Sequence, residues 1–155
     1  MKKAIRILFL LTLFATIANA QGPEPVKWAY EYKSISATEG ELIYKATIDK
    51  GWHVFSQYNP PSKDGLGGAQ PLMFIVINDD NFEVVGKVEE PVYQKAYNDI
   101  WESDEYYFTD SVVFRQKIKL KTTKPFTVNG TVAGQVCSDD ICIQTGGNFS
   151  IKINP

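Results

Sequence analysis

Val112-Val113-Phe114-Arg115-Gln116-Lys117-Ile118-Lys119-Leu120 alternates more cleanly than any other stretch of this 155-residue chain. Val112, Phe114, Gln116, Ile118 and Leu120 form one row, and Val113, Arg115, Lys117 and Lys119 the other. A period of two sends the rows to opposite faces of a β-strand, the first toward a core and the second toward water. The same reading extends outward. Val26, Trp28, Tyr30 and Tyr32 alternate with Lys27, Ala29 and Glu31, and Leu42, Tyr44, Ala46 and Ile48 alternate with Ile43, Lys45 and Thr47. Ala37-Thr38-Glu39-Gly40 is a turn between them, so the two strands pair as neighbours. Trp52 to Gln57, Leu72 to Ile77, Phe82 to Val88, Phe126 to Cys137 and Cys142 to Ile153 are further strands, and no segment after residue 20 keeps a helical spacing. Asn59 to Gln70 is too rich in Pro and Gly for a strand and reads as a long surface loop. Seven to nine short strands at this spacing predict an all-β fold, an immunoglobulin-like two-sheet antiparallel sandwich.

The amino terminus has a different character. Lys2, Lys3 and Arg6 precede the apolar run Ile7 to Phe14, and Ala18-Asn19-Ala20 follows as a small-x-small cleavage site, so residues 1–20 read as a secretory signal peptide. The run is shorter than the roughly 20 residues of a membrane span. No second hydrophobic segment follows, which predicts no membrane span in the mature chain. Gln21, not a cysteine, comes directly after the cleavage site, which argues against a lipid anchor. Residues 21–155 are then one domain with its own core. Removal of the leader leaves 13 basic against 18 acidic residues, a formal charge of −5, which argues against a nucleic-acid partner.

Cys137 and Cys142 are the only cysteines, and Ser138-Asp139-Asp140-Ile141 between them reads as a four-residue hairpin loop. Paired positions of an antiparallel hairpin have Cα atoms about 4.5–5.5 Å apart, within reach of a disulfide. As a staple, so small a ring contributes only about 2 kcal/mol by chain entropy. A bridge at the mouth of a tight hairpin can be strained, and strained or exposed bridges reduce more easily. The pair therefore reads as a redox pair. Asp139 and Asp140 would raise a neighbouring thiol above its usual value of about 8.5. A dithiol so placed is sluggish until a docked partner changes its surroundings.

Three segments carry a family resemblance: Lys50-Gly51-Trp52-His53-Val54-Phe55, the stretch Tyr97 to Phe108 leading into Val113 to Ile118, and Val136-Cys137 through Cys142. Together they resemble the amino-terminal periplasmic domain of the DsbD thiol–disulfide reductase, over most of the mature chain. The resemblance implies a periplasmic location and dithiol–disulfide exchange without a cofactor. It also implies that electrons arrive from a separate chain, either a thioredoxin-like protein or a membrane thiol reductase. It implies that Cys142 exchanges with the partner and Cys137 resolves. Ile143-Gln144-Thr145-Gly146 departs from the aromatic or leucine and prolines that usually follow the second cysteine, a difference that bears on partner docking.

By the same resemblance an acid and an aromatic residue cap the cysteines. Asp99-Ile100-Trp101 and Asp104-Glu105-Tyr106 both fit. The first is favoured because Phe108 is then free to begin the next strand; Trp101 would shield the disulfide and Asp99 handle protons. His53, the only histidine, is either a strand residue with its polar tip near the surface or, by the resemblance, a proton carrier beside the cysteines. Trp28, Tyr30, Tyr32, Trp52, Tyr106 and Tyr107 are expected to pack within the sandwich rather than line a glycan-binding face. The sequons at Asn129 and Asn148 carry no assignment. One histidine, two cysteines and the distant Met73 make a poor soft-metal set, and no hydrolase signature is present. Two classes of function remain: a thiol–disulfide exchange protein, and a protein- or glycan-binding sandwich with a structural disulfide.

Overall fold

The alternating stretch around Phe114 forms a strand in the interior of its sheet, paired on both edges. A computed structural model describes residues 22–155, so the signal peptide expected over residues 1–20 lies outside the described residues. The strands are β1 (Val26–Ser34), β2 (Glu39–Ile48), β3 (His53–Phe55), β4 (Met73–Val76), β5 (Phe82–Glu89), β6 (Gln94–Asn98), β7 (Ser103–Phe108), β8 (Ser111–Leu120), β9 (Phe126–Cys137) and β10 (Cys142–Ile153). All pairings are antiparallel. One sheet has the order β1-β2-β8-β5; the other runs β10-β9-β3-β7-β6, with β4 also on β9. The fold is the expected all-β two-sheet sandwich.

Aromatic rings from both sheets meet in the core. Tyr44 and Phe114 are wholly buried. Phe74 lies 4.9 Å from Phe114 and 5.0 Å from Tyr44 between ring centroids, and Phe149 lies 5.3 Å from Tyr44. Each such fully buried ring stabilises the fold by about 1.5–3 kcal/mol. Trp28, Tyr30, Tyr32 and Trp52 pack against this cluster, and Trp28 Nε1 donates to Thr145 Oγ1 (3.1 Å), joining edge strands of the two sheets. Gln116, polar within the inward row of β8, is also buried. Its Nε2 donates to the carbonyls of Val85 and Lys117 (2.9 and 3.0 Å). The β5–β8 register shifts after Val85, and the Gln116 amide satisfies a carbonyl beside that irregularity.

Several boundaries differ from expectation. The turn between β1 and β2 is Ile35 to Thr38, and Gly40 already pairs with Ser34. Trp52 to Gln57 and Leu72 to Ile77 contract to the short β3 and β4. There are ten strands among the described residues, because β6 and β7 form a hairpin within residues 94–108. Phe108 closes β7 and is buried; it does not begin the next strand. This hairpin escapes a pattern-based reading because most of it stands clear of the main core. Four of five residues in β6 are exposed, and five of six in β7 are half-buried.

β9 organises the second sheet. β10 pairs with it from Phe126 to Cys137. Along its other edge lie β4, opposite residues 130–133, and then β3, opposite Val136 and Cys137. The Pro/Gly-rich loop after β3 thus leaves and returns to one edge of one strand. Opposite β9 on the other side, Gly146 of β10 has φ 110°, and a Cβ there would lie 2.0 Å from the Val132 carbonyl oxygen. Gly146→Ala is expected to destabilise the domain by about 2 kcal/mol or more, read as a lower urea midpoint with an unchanged m-value.

Candidate functional site

The β9–β10 register places Cys142 directly opposite Cys137, and the β3–β9 register places His53 opposite Cys137 on the other side. The cysteines are joined as a disulfide with Cα atoms 4.1 Å apart. Their surroundings differ. Cys137 is 2% exposed, whereas Cys142 is open to solvent at the start of β10. The connecting turn is closed by Ser138, whose N–H donates to the Ile141 carbonyl (2.9 Å) and whose Oγ accepts from the Asp140 and Ile141 amides (both 3.3 Å).

Val54 and Val136 point into the sandwich, so their neighbours His53, Phe55 and Cys137 face outward. There Phe55, Ala69 and Cys137 make a second, smaller core with Tyr107 packed against it. Ala69 belongs to the Pro/Gly-rich loop, which folds back over this face. Asn59, buried, holds the loop at both ends: Nδ2 donates to the Ala69 carbonyl (3.0 Å), and Oδ1 accepts from the Tyr106 amide (2.8 Å). Ser62 organises its tip, with Oγ donating to Asp64 Oδ1 (2.5 Å) and accepting from the Gly67 amide (2.8 Å). The Ser62 hydroxyl, followed by the Leu66 amide, holds the Asp64 carboxyl below the usual range. Asn59 and Ser62, polar and buried, are thus both satisfied.

The β6–β7 hairpin meets this loop. Asn98 Oδ1 accepts from the amides of Ile100 and Trp101 (2.9 and 3.1 Å), shaping the hairpin tip, while its Nδ2 donates to Glu105 Oε1 (2.9 Å). The Lys63 amide donates to the Trp101 carbonyl (3.0 Å), and the Lys63 ammonium pairs with Glu102. The Trp101 ring lies against Gly67, where a Cβ would come within 2.7 Å of Cζ3. Hairpin tip and loop are one contact surface.

Between the hairpin tip and the β9–β10 turn lies a cleft of about 630 Å³, lined by Cys137, Cys142, His53, Trp101, Glu105 and the turn aspartates among others. No lysine or arginine lines it. Asp99 does not line it either; it is exposed at the hairpin tip. The acid facing the cleft from this hairpin is Glu105, two residues before Tyr107 on the same strand face. Its position is invisible to a reading in which β7 is not a strand. The His53 ring lies 5.0 Å from Phe55 and 5.2 Å from Tyr107 between centroids. Burial among these rings lowers its pKa, and the charges of Glu105 and Asp139 oppose that without cancelling it. The imidazole is therefore neutral at neutral pH. A hollow between β1 and β10, lined by Trp28, Thr145 and Gly146, holds no comparable set of reactive side chains.

No curated protein sequence matches the chain. Among solved structures, the DsbD N-terminal domain of Neisseria meningitidis in its reduced form aligns with a TM-score of 0.56 at 10% identity, covering 89% of this chain and 96% of that one. The N-terminal periplasmic domain of ScsB from Proteus mirabilis aligns at 0.47 and 17% identity, over 83% of this chain and 45% of that one, so this chain spans less than half of it. A complex between the DsbD and PilB N-terminal domains of Neisseria meningitidis aligns at 0.47 and 8% identity, over 84% and 88% of the two chains. The sequence profile described as "Thiol:disulfide interchange protein DsbD, N-terminal" matches residues 20–152, and the chain therefore belongs to the DsbD N-terminal domain family.

Proposed function

We propose that this protein is exported to the periplasm by residues 1–20 and passes reducing equivalents between partner proteins through Cys137 and Cys142. The observation that carries the reading is the unequal exposure of the two sulfurs' residues, Cys142 open and Cys137 buried. A partner reaches Cys142 first. In the reducing direction the Cys142 thiolate attacks a partner disulfide, and the partner's other sulfur leaves as a thiolate. Cys137 then attacks Cys142, the Cys137–Cys142 bond forms, and the partner's second sulfur is released. Two electrons pass to the partner, and this chain supplies both sulfurs that become oxidised. In the opposite phase a donor dithiol, from a thioredoxin-like protein or a membrane thiol reductase, restores the pair. No helix among the described residues is long and apolar enough to cross a membrane.

Trp101 acts as the shield over this site. Its ring lines the cleft with the disulfide and is held against Gly67 by the Lys63 contacts. Small thiols meet the closed arrangement, while a docked protein displaces the tip. Asp99, exposed on that tip, is suited to contact an approaching partner. The acidic cleft disfavours a free thiolate and adds to the protection.

Three measurements test this reading. A redox titration should place the Cys137–Cys142 couple above the value of about −300 mV typical of structural disulfides; a lower potential supports a binding domain with a structural bridge. In trapping with a thioredoxin-like partner, Cys137→Ser should accumulate a mixed disulfide through Cys142, whereas Cys142→Ser should give little. Gly67→Val should push the Trp101 ring from its seat and speed reduction of the disulfide by glutathione several-fold, with Trp101→Ala behaving alike.

A further inference from the structure

Resting on the exchange chemistry proposed above, we infer that His53 carries the proton of Cys137 and that Glu105 is the positioning residue that holds His53 to this task. Cys137 must lose a proton before it attacks the mixed disulfide and regain one when the pair is reduced. At 2% exposure it has almost no contact with solvent through which to do so. Protein groups must serve.

The elements packed around Cys137 offer few. β10 contributes Cys142, already bonded to the partner at this stage. Asp139 and Asp140 of the turn are exposed. Ala69, from the covering loop, has no proton to move. β7 presents Glu105 and Tyr107, and β3 presents His53. His53 is directly opposite Cys137 in the ladder, so the two side chains leave the sheet on the same face as near neighbours. An imidazole takes and returns a proton within the neutral range. Among the described residues there is no other histidine, and the cleft has no lysine or arginine.

Glu105 supplies what His53 lacks. Packing against Phe55 and Tyr107 disfavours the imidazolium, so a ring left alone there would be a poor base. The Glu105 carboxylate opposes this and Asp139 adds to it. Glu105 is fixed by the amide of Asn98, whose carbonyl oxygen also organises the hairpin tip. The resolving step then balances. The Cys137 thiol passes its proton to a ring nitrogen of His53, and the thiolate attacks Cys142 Sγ. The Cys137–Cys142 bond forms, the bond to the partner breaks, and the imidazolium protonates the departing partner thiolate. Reduction of the pair runs the same path backward.

The reaction of the reduced protein with 5,5′-dithiobis(2-nitrobenzoate) tests this directly. It releases one thionitrobenzoate when Cys142 attacks and a second when Cys137 resolves. His53→Gln should slow the second release by about 10²-fold and leave the first unchanged. Glu105→Gln should slow the second release several-fold, with its pH profile moved to lower pH. The His53 ring resonance, unambiguous in a chain with one histidine, should titrate at lower pH in the same variant. Glu105→Asp, which keeps the charge but withdraws it, should show both effects in smaller measure, and serves alone should Glu105→Gln not fold. A second release and a His53 titration indistinguishable from wild type in whichever variant folds would overturn the inference. Absence of the first release from the reduced wild-type protein instead brings down the exchange reading itself.

Discussion

The antiparallel ladder between β9 and β10 is the constraint on which the site depends. It runs without interruption from Phe126 opposite Ile153 to Cys137 opposite Cys142. Side chains on a strand alternate with a period of two, so a slip of one residue would exchange the core face for the outer face. Val128, Val132 and Val136 on β9, with Phe149, Ile151 and Ile153 on β10, are buried in the sandwich and make such a slip costly. Register at the hairpin mouth is thus enforced by packing along its length. The disulfide is a consequence of that register, and its small ring adds little stability of its own.

β3 extends the same logic by one strand. Only three residues long, it is held between β9 and β7 through Val54, which is wholly buried. That anchor turns His53 and Phe55 outward and completes the row Cys142, Cys137, His53 across three strands. The Pro/Gly-rich loop packs on the second core through Ala69 and is braced by the hairpin tip, while Cys142 stays open to solvent. Gly67 is needed here because any side chain would occupy the space of the Trp101 ring. The loop itself is structured by the buried, fully bonded side chains of Asn59 and Ser62. Burial and charge then act in opposition inside the cleft. Desolvation lowers the His53 pKa, while the charges of Glu105 and Asp139 push it the other way.

Much of the molecule was legible in its residues. Alternation located the long strands, because each has one face in a core and one in water, and β8 is the clearest case. The cysteine spacing located the disulfide, since a four-residue loop leaves two facing positions little freedom. Other features were not legible. β6 and β7 lack alternation because most of the hairpin lies outside the main core, so Glu105 has no strand face in the sequence pattern, and Asp99, the acid the resemblance favours, is exposed and does not line the cleft. The loop after β3 declared itself as irregular but not as a cover, since its buried polar side chains find their partners only in the folded chain.

The sequence by itself determined an all-β domain with a disulfide-competent hairpin, because strand periodicity and short-range spacing are local properties of the chain. The tertiary structure decided which cysteine is open, which carboxylate and which imidazole share the cleft, and what covers them. Burial and proximity between residues such as Phe55, Ala69, Glu105 and Cys137 arise from long-range packing, and no local pattern encodes them.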